Sequence, residues 1–359
     1  MPEKVFPGSQ KIIRVGWVGT GPFSFYGHYI RVINNIYRDY NFLNMRVTHI
    51  WGDNYARNYR GRETYVKKMV DFWSTGEQSP EGIAKMCNIP DVCRDYHEML
   101  GQVDAAMIMD FDRAYDLAEP FLNRGLPIFI CSPVAVNVPE CERILNLAEK
   151  NSAAVYTGSF TADSHVNQIL NVLVKRDQIT SFFASTIFNY YTSYANDGLE
   201  PIHRLIGPGV KKVALHGWDG SRGYDPTGIP VSRINLEYEP RKGKPPIQGS
   251  LTLGGYKKEM EWYKVYYNDH KTLEGVADWV ITTDVSNTEL KFRDFLINLQ
   301  EVFTANKSLE TRQDILEKLK VVIAAYKSAN EGGRTVSLDD VKDYRLPNVR
   351  IEKWNEIPD

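Results

Sequence analysis

Residues 12–24 read IIRVGWVGTGPFS, an apolar run that enters Gly19-Thr20-Gly21 and leaves through a proline, a phenylalanine and a serine. The run before the glycines fits a short buried strand. Beyond the turn, Tyr29, Ile30, Ile33 and Ile36 recur at the spacing of one buried helical face. A second apolar stretch, MRVTHIWGDN at 45–54, ends in a glycine turn of its own. Strand, glycine turn, helix, strand is one βαβ unit, and such crossovers join parallel neighbours with a right-handed sense. A chain that opens this way is committed to a parallel sheet with helices on its faces.

The alternation continues. DAAMIMD (104–110), PIFI (127–130) and AAVYTGS (153–159) are strand-like, and between them lie helical patterns at 114–125 and 139–151. Strands alternating with helices over this length predict a doubly wound α/β Rossmann domain over residues 1–153. The texture then changes. SHVNQILNVLV (164–174) is helical, but most of 178–290 reads as longer strands rich in Tyr, Thr, Val and Trp, divided by turns at 207–209, 225–228 and 243–246. This pattern predicts an α+β domain, 154–330, built on a large open, mostly antiparallel sheet. Two helices, near 288–304 and 311–329, are expected to close it, the second with Ile315, Leu316, Leu319, Val322 and Ile323 on one face. The tail, 331–359, is polar and is expected to pack on the surface.

Composition removes several function classes. Across 359 residues the formal net charge is −2 and the basic residues are dispersed, so no field draws in nucleic acid or an anionic membrane. The four cysteines, Cys87, Cys93, Cys131 and Cys141, form no C-x-x-C pair and have no matching histidine spacing, so no metal site is expected. No apolar run is long enough to span a bilayer, and MPEKVFPGSQ lacks a signal-peptide core; the expected location is cytoplasmic.

Gly19-Thr20-Gly21-Pro22-Phe23-Ser24 is G-x-G-x-x-S. The first glycine permits a tight turn, the second lets backbone approach a pyrophosphate, and serine is small enough for the helix–strand contact made at the third position. The phosphates then face the helix N-terminus, where unpaired N–H groups and the dipole favour negative charge. Pro22 fits an early helical position that has no N–H to lose. Asp53, at the end of the second strand, can accept hydrogen bonds from ribose hydroxyls and would repel a 2′-phosphate, which selects NAD rather than NADP. Gly52 competes for that position, because the interval from Gly21 to Asp53 is longer than usual.

Taken together, VGWVGTGPFS, VDAAMIMDFDRAYDLAEPFLNRGLPIFICSPVAV, AAVYTGSF, NDGLEPIHRLIGPGVKKV and SANEGGRTVSL resemble, in order and spacing, the glucose-fructose oxidoreductase/inositol dehydrogenase (Gfo/Idh/MocA) family. The resemblance implies a Rossmann domain followed by an α+β domain whose open sheet supports a homodimer or homotetramer. It also implies an NAD(P)-dependent enzyme acting on a hydroxyl of a sugar, glycoside or cyclitol, and a few such enzymes cleave glycosides by an oxidation–elimination sequence. The family's Glu-Lys-Pro or Asp-Lys-Pro turn is here Cys131-Ser132-Pro133, with Ser132 in the lysine's place. The family's histidine, about ten residues before the Gly-Pro-Gly turn, falls on Asp197, and the nearby histidine is His203.

Hydride transfer belongs to the cofactor; the protein must orient the substrate and move the hydroxyl proton, a task worth about 10²–10⁴-fold. Asp197 is the candidate base, the alternative being a helix-capping aspartate. His203 can serve if its helix faces the cleft, and Tyr191 or Tyr194 can donate to a developing alkoxide or stack on a sugar, though tyrosines also fill strands. Ser132 and Pro133 shape the cofactor side. Asp110, with Asp112, would read a ribose and disfavour phosphate, or be a solvated loop acid. His165 can face the cleft, and Cys131 is a packing residue. Two functions follow: a sugar or cyclitol oxidoreductase with a substituted acid/base group, or a cofactor- or sugar-binding subunit that serves a partner protein.

Overall fold

The computed structural model describes residues 12–19, 26–34, 43–52, 80–110, 113–159, 172, 176–186, 191–216, 232–240, 246–253, 262–267, 271–276 and 292–346. Of 26–28, 185–186, 191–197, 232, 253, 262–267 and 271–276 it describes the backbone alone. Thr20, Gly21, Pro22, Phe23, Asp53, Asp112, His165 and most of the helix expected at 164–174 lie outside the described residues.

The expected alternation is present. Strands β1 (Ile13–Val18), β2 (Met45–Trp51), β3 (Asp91–Val92), β4 (Ala105–Ile108), β5 (Ile128–Ile130) and β6 (Val155–Tyr156) form one sheet in the order β3-β2-β1-β4-β5-β6. All of its pairings are parallel. The strand order reverses between β1 and β4, the point where open α/β sheets bind ligands beyond the carboxyl ends of their strands. Helices α1 (Tyr26–Ile33), α2 (Pro80–Cys87), α3 (Ala114–Leu122) and α4 (Val138–Lys150) accompany these strands. Local chemistry sets their ends. Asn137 caps α4 by accepting from the Glu140 N–H at 2.8 Å, and Gly125 takes the chain out of α3 at φ +67°.

A second sheet has seven strands: β7 (Ile179–Thr186), β8 (Val210–His216), β9 (Ser232–Tyr238), β10 (Gln248–Leu253), β11 (Trp262–Tyr267), β12 (Lys271–Val276) and β13 (Val336–Ser337). Their order is β12-β11-β7-β10-β9-β8-β13, antiparallel throughout except for the parallel pair β7–β10. One face is covered by α5 (Tyr191–Ile206) and α7 (Arg312–Asn330). Leu199, Ile202, Ile206, Leu319, Val322 and Ile323 pack there with Phe182, Ile234, Leu236 and Leu251. The approach of α5 is close: a Cβ on Gly198 would lie 2.8 Å from Leu251.

Three placements differ from the pattern-based expectation. The stretch around Tyr191 and Tyr194 is helical, not strand, because α5 starts at Tyr191 and carries Asp197 in its interior. Helix α6 (Arg293–Ala305) does not close the second domain. It returns to the first sheet, where Phe295 packs on Tyr29, Phe129 and Tyr156 with ring centroids 5.1–6.2 Å apart. Asn306, just past its end, accepts from Ala154 N–H at 2.8 Å and donates to Gly125 and Ser152 carbonyls. Finally, the segment after α7 is not confined to the surface: it adds β13 to the sheet edge and buries Val336, Val341 and Leu346.

Candidate functional site

The carboxyl ends of β1, β2 and β4 meet at Gly19. Its N–H donates to the Trp51 carbonyl at 2.8 Å, and its own carbonyl accepts from Trp17 Nε1 at 3.1 Å. Gly19 sits at φ +95°, a region that side chains rarely tolerate, and a Cβ there would lie 3.1 Å from Asp110 Cβ and 3.3 Å from Asp110 N. The absent side chain lets the turn close tightly on Asp110, leaving a cradle of bare backbone at the switch point. This is the tight turn that the first glycine of a dinucleotide-binding loop supplies, so the residues described fit the cofactor read from the sequence.

Asp110, expected to face the cofactor, is buried at 2% exposure and turned sideways. Its Oδ2 accepts from Arg113 Nη2 at 2.9 Å and from Nε at 3.3 Å. The Arg113 guanidinium in turn lies 5.7 Å from the centre of the Trp51 ring. Trp51 leans on Tyr96, at 4.9 Å between centroids, and donates from Nε1 to the Arg94 carbonyl at 3.2 Å. A carboxylate, a guanidinium and an indole therefore stand in one connected row at the ends of β2 and β4.

Cys131-Ser132-Pro133 follows β5 as expected. The Cys131 N–H donates to the Ile108 carbonyl at 2.9 Å, the Ser132–Pro133 bond is cis, and Pro133 through Val136 are buried while Ser132 is half-buried. The turn thus stands beside the end of β4, next to the Gly19–Asp110 cradle, with Ser132 its more accessible polar group.

The candidate acid/base residues lie on α5. Asp197, Tyr191 and Tyr194 occupy its N-terminal half, and His203 lies in its last turns. The His203 ring points to α7: Nε2 is 3.0 Å from Asp314 Oδ1, and Nδ1 is 4.0 Å from Glu317 Oε1. The His203 hydrogen bond and those from Thr311 hold the Asp314 carboxyl well below the usual range. Glu317 accepts from the N–H groups of Gly209 and Val210 at 2.7–3.0 Å, gripping the turn after α5. His203 therefore acts as a tie between helices.

A buried charge cluster escaped the reading of motifs. Lys318, 3% exposed, is ion-paired with Glu200 and Glu310 and donates to Thr157 Oγ1 at 3.1 Å. Glu310 Oε2 also accepts from Thr157 N at 2.7 Å and from Thr157 Oγ1 at 3.0 Å. Arg204 Nη2 donates to Tyr156 Oη at 3.3 Å. The cluster ties α5, at the turn after Asp197, to the end of β6 and to α7. Burial pushes the Glu200 carboxyl up to about 6, against the pull of Lys318. Burial also disfavours the charge on Glu310, but Lys318 and the Thr157 N–H outweigh it and its net shift is downward. The signal in the sequence was a lysine inside the apolar face Ile315–Leu319–Val322 of α7.

Among the described residues no cluster of His, Cys, Asp and Glu is placed to hold a metal, and no helix is long and apolar enough to cross a membrane.

Residues 13–159 match the family model described as an oxidoreductase family with the NAD-binding Rossmann fold, GFO/IDH/MocA. The likeness to this family is thus carried by the first sheet and its helices. The match begins at β1 and ends just past β6, so it covers the whole first sheet. No curated protein matches the chain. Solved structures match along almost its full length. A probable dehydrogenase from Thermotoga maritima is 13% identical with a TM-score of 0.65, over 92% of this chain and 100% of that one. A scyllo-inositol dehydrogenase from Lactobacillus casei, with bound NAD(H) and scyllo-inositol, has the same identity, TM-score and coverage. A myo-inositol 2-dehydrogenase from Lactobacillus plantarum is 12% identical with a TM-score of 0.64, over 91% of this chain and 99% of that one. At such identities the likeness establishes the two-domain fold. The NAD-binding character of the first domain comes from the family model over residues 13–159 and agrees with the Gly19 cradle.

Proposed function

We propose that this protein is an NAD-dependent oxidoreductase acting on a secondary hydroxyl of a sugar, glycoside or cyclitol, with Asp197 as the group that moves the hydroxyl proton. The observation that carries the reading is the Gly19 cradle, closed by Asp110 at the switch point of a domain that matches the Gfo/Idh/MocA family model. The cofactor, when bound, supplies hydride acceptance and donation. Gly19, with Thr20, Gly21, Pro22 and Phe23, would take the pyrophosphate, Asp53 the ribose, and Ser132 and Pro133 the nicotinamide side.

Asp197 lies on α5, in the second domain. Burial of a carboxylate in the cleft would raise its pKa toward the operating range of a general base. Tyr191 and Tyr194 share that half of α5 and would orient the substrate hydroxyl. His203 would act indirectly, by holding α5 against α7 through Asp314. The outer face of the second sheet, where Phe183 is 43% exposed, would join copies into a dimer or tetramer.

The test is to titrate the purified chain with NAD(H) and follow the nicotinamide absorbance while a panel of sugars, cyclitols and glycosides is added. Turnover with one class, lost in Asp197→Asn, is expected; glycoside cleavage with transient reduction would extend the reaction to oxidation–elimination. Ser132 in the lysine's place gives a second reading substance. A chain that binds cofactor but never changes its redox state with any of these compounds would be a cofactor-binding subunit instead.

A further inference from the structure

The Asp110–Arg113–Trp51 row borders the end of β2, where a Rossmann domain distinguishes the two nicotinamide cofactors. An arginine near that strand end is the usual partner of a 2′-phosphate. Here the arginine is present, with its guanidinium over the last residue of β2. It is also claimed by a buried carboxylate through two hydrogen bonds, to Nε and Nη2. The pairing has two physical consequences. It cancels the cation's charge within a few ångströms, so that an incoming phosphate meets a neutral pair in place of a positive one. It also occupies the Nε/Nη2 edge of the planar fork, one of the two edges through which a bidentate phosphate contact can be made.

Burial makes the effect strong. Asp110 sits at 2% exposure beside the Gly19 backbone, so water screens its charge poorly.

We propose that Asp110 is a specificity residue that acts through Arg113: by neutralising and clamping the one described cation over the end of β2, it makes this site select a dinucleotide with a free 2′-hydroxyl over one bearing a 2′-phosphate. The inference rests on the dinucleotide reading above and deepens it. It gives Asp110 a role without direct contact to the ribose.

The experiment is a fluorescence titration of the full chain with NADH and with NADPH, using reduced-nicotinamide emission and tryptophan quenching, so no substrate is needed. The wild type is expected to prefer NADH. Asp110→Asn keeps the shape but removes the charge, and is expected to move the NADPH-to-NADH affinity ratio about tenfold toward NADPH, the scale of one charge-assisted phosphate contact. Adding Arg113→Gln to Asp110→Asn should return the ratio to the wild-type value. Arg113 is 41% exposed at its side chain, so Arg113→Glu tests the same idea without touching the buried position, and should move the ratio about tenfold the other way. A ratio unchanged in Asp110→Asn, or in Arg113→Glu if the former does not fold, overturns the proposal. A wild type that binds neither nucleotide overturns the dinucleotide reading itself.

Discussion

Lys318→Met is the substitution whose outcome the buried cluster determines most sharply. Methionine keeps most of the lysine's length, one atom short, and leaves Glu200 and Glu310 facing one another without a cation. Both carboxylates are almost fully enclosed, with side-chain exposures of 2% and 6%. Breaking a buried ion pair from one side costs about 3–5 kcal/mol. The two glutamates will not share that cost equally. Glu310 keeps the Thr157 N–H and hydroxyl as donors, whereas among the described residues Glu200 accepts hydrogen bonds from Lys318 alone. Glu200 is therefore the carboxyl that takes up a proton.

Its folded-state pKa, already raised by burial, rises further in the variant, while its unfolded value stays near about 4.3. For an acid whose folded pKa is raised, stability is fully present below the unfolded pKa and is lost as pH rises through the folded pKa. The slope approaches about 1.4 kcal/mol per pH unit for one proton. The destabilisation should thus be about 4 kcal/mol at pH 8 and shrink to about 1–2 kcal/mol near pH 5. Urea unfolding of wild type and variant, followed by circular dichroism at both pH values, measures it. Adding Glu200→Leu should recover much of the loss at pH 8, since it removes the stranded charge. A loss that is the same at both pH values, or below about 1 kcal/mol at pH 8, would refute the claim that Lys318 neutralises a desolvated pair.

Other sites give further expectations. Gly19→Ala should weaken NADH binding at least tenfold and cost about 1–2 kcal/mol, because a Cβ at φ +95° meets Asp110; unchanged binding would remove the cradle argument. Asp314 is held below the usual carboxyl range and caps α7 through Thr311, so its contribution is present above the unfolded carboxyl pKa and fades as pH falls. Asp314→Asn should cost about 1–2 kcal/mol at pH 7, discounted for its partial exposure, and flatten the acid side of the stability curve. Burial pushes the Cys141 thiol up to about 12; burial and neighbouring acids push Cys93 up to about 11. Neither should react with iodoacetamide at pH 8 until the chain is unfolded, as mass spectrometry would show.

What could be read along the chain was whatever is local. The apolar run into Gly19, the period of α1, α3 and α4, and the alternation through β6 are properties of neighbouring residues, and they were enough for the parallel sheet and its switch point. The glycine that opens the cradle was likewise visible, because φ +95° is a backbone requirement that only one residue type meets easily. The Tyr-rich stretch before Asp197 misled, since tyrosines at 190, 191 and 194 carry β-propensity while packing on the second sheet makes α5 a helix.

Tertiary structure alone decided the rest, because long-range partners leave no periodic trace. Nothing near residue 295 announces that α6 will leave its own domain and lay Phe295 on Phe129, far away in sequence. Asp110 and Arg113 are only three residues apart, but that the pair will meet Trp51 depends on β2 and β4 flanking β1 in the sheet. Glu200, Glu310 and Lys318 become one cluster only when α5, α7 and the end of β6 close on the same spot. A charge buried there must find its counter-charge from another element, because water no longer reaches it. The sequence by itself determined a dinucleotide-type sheet with a glycine cradle. Packing decided which of its charged groups remain available to a ligand and which are consumed in holding the two domains together.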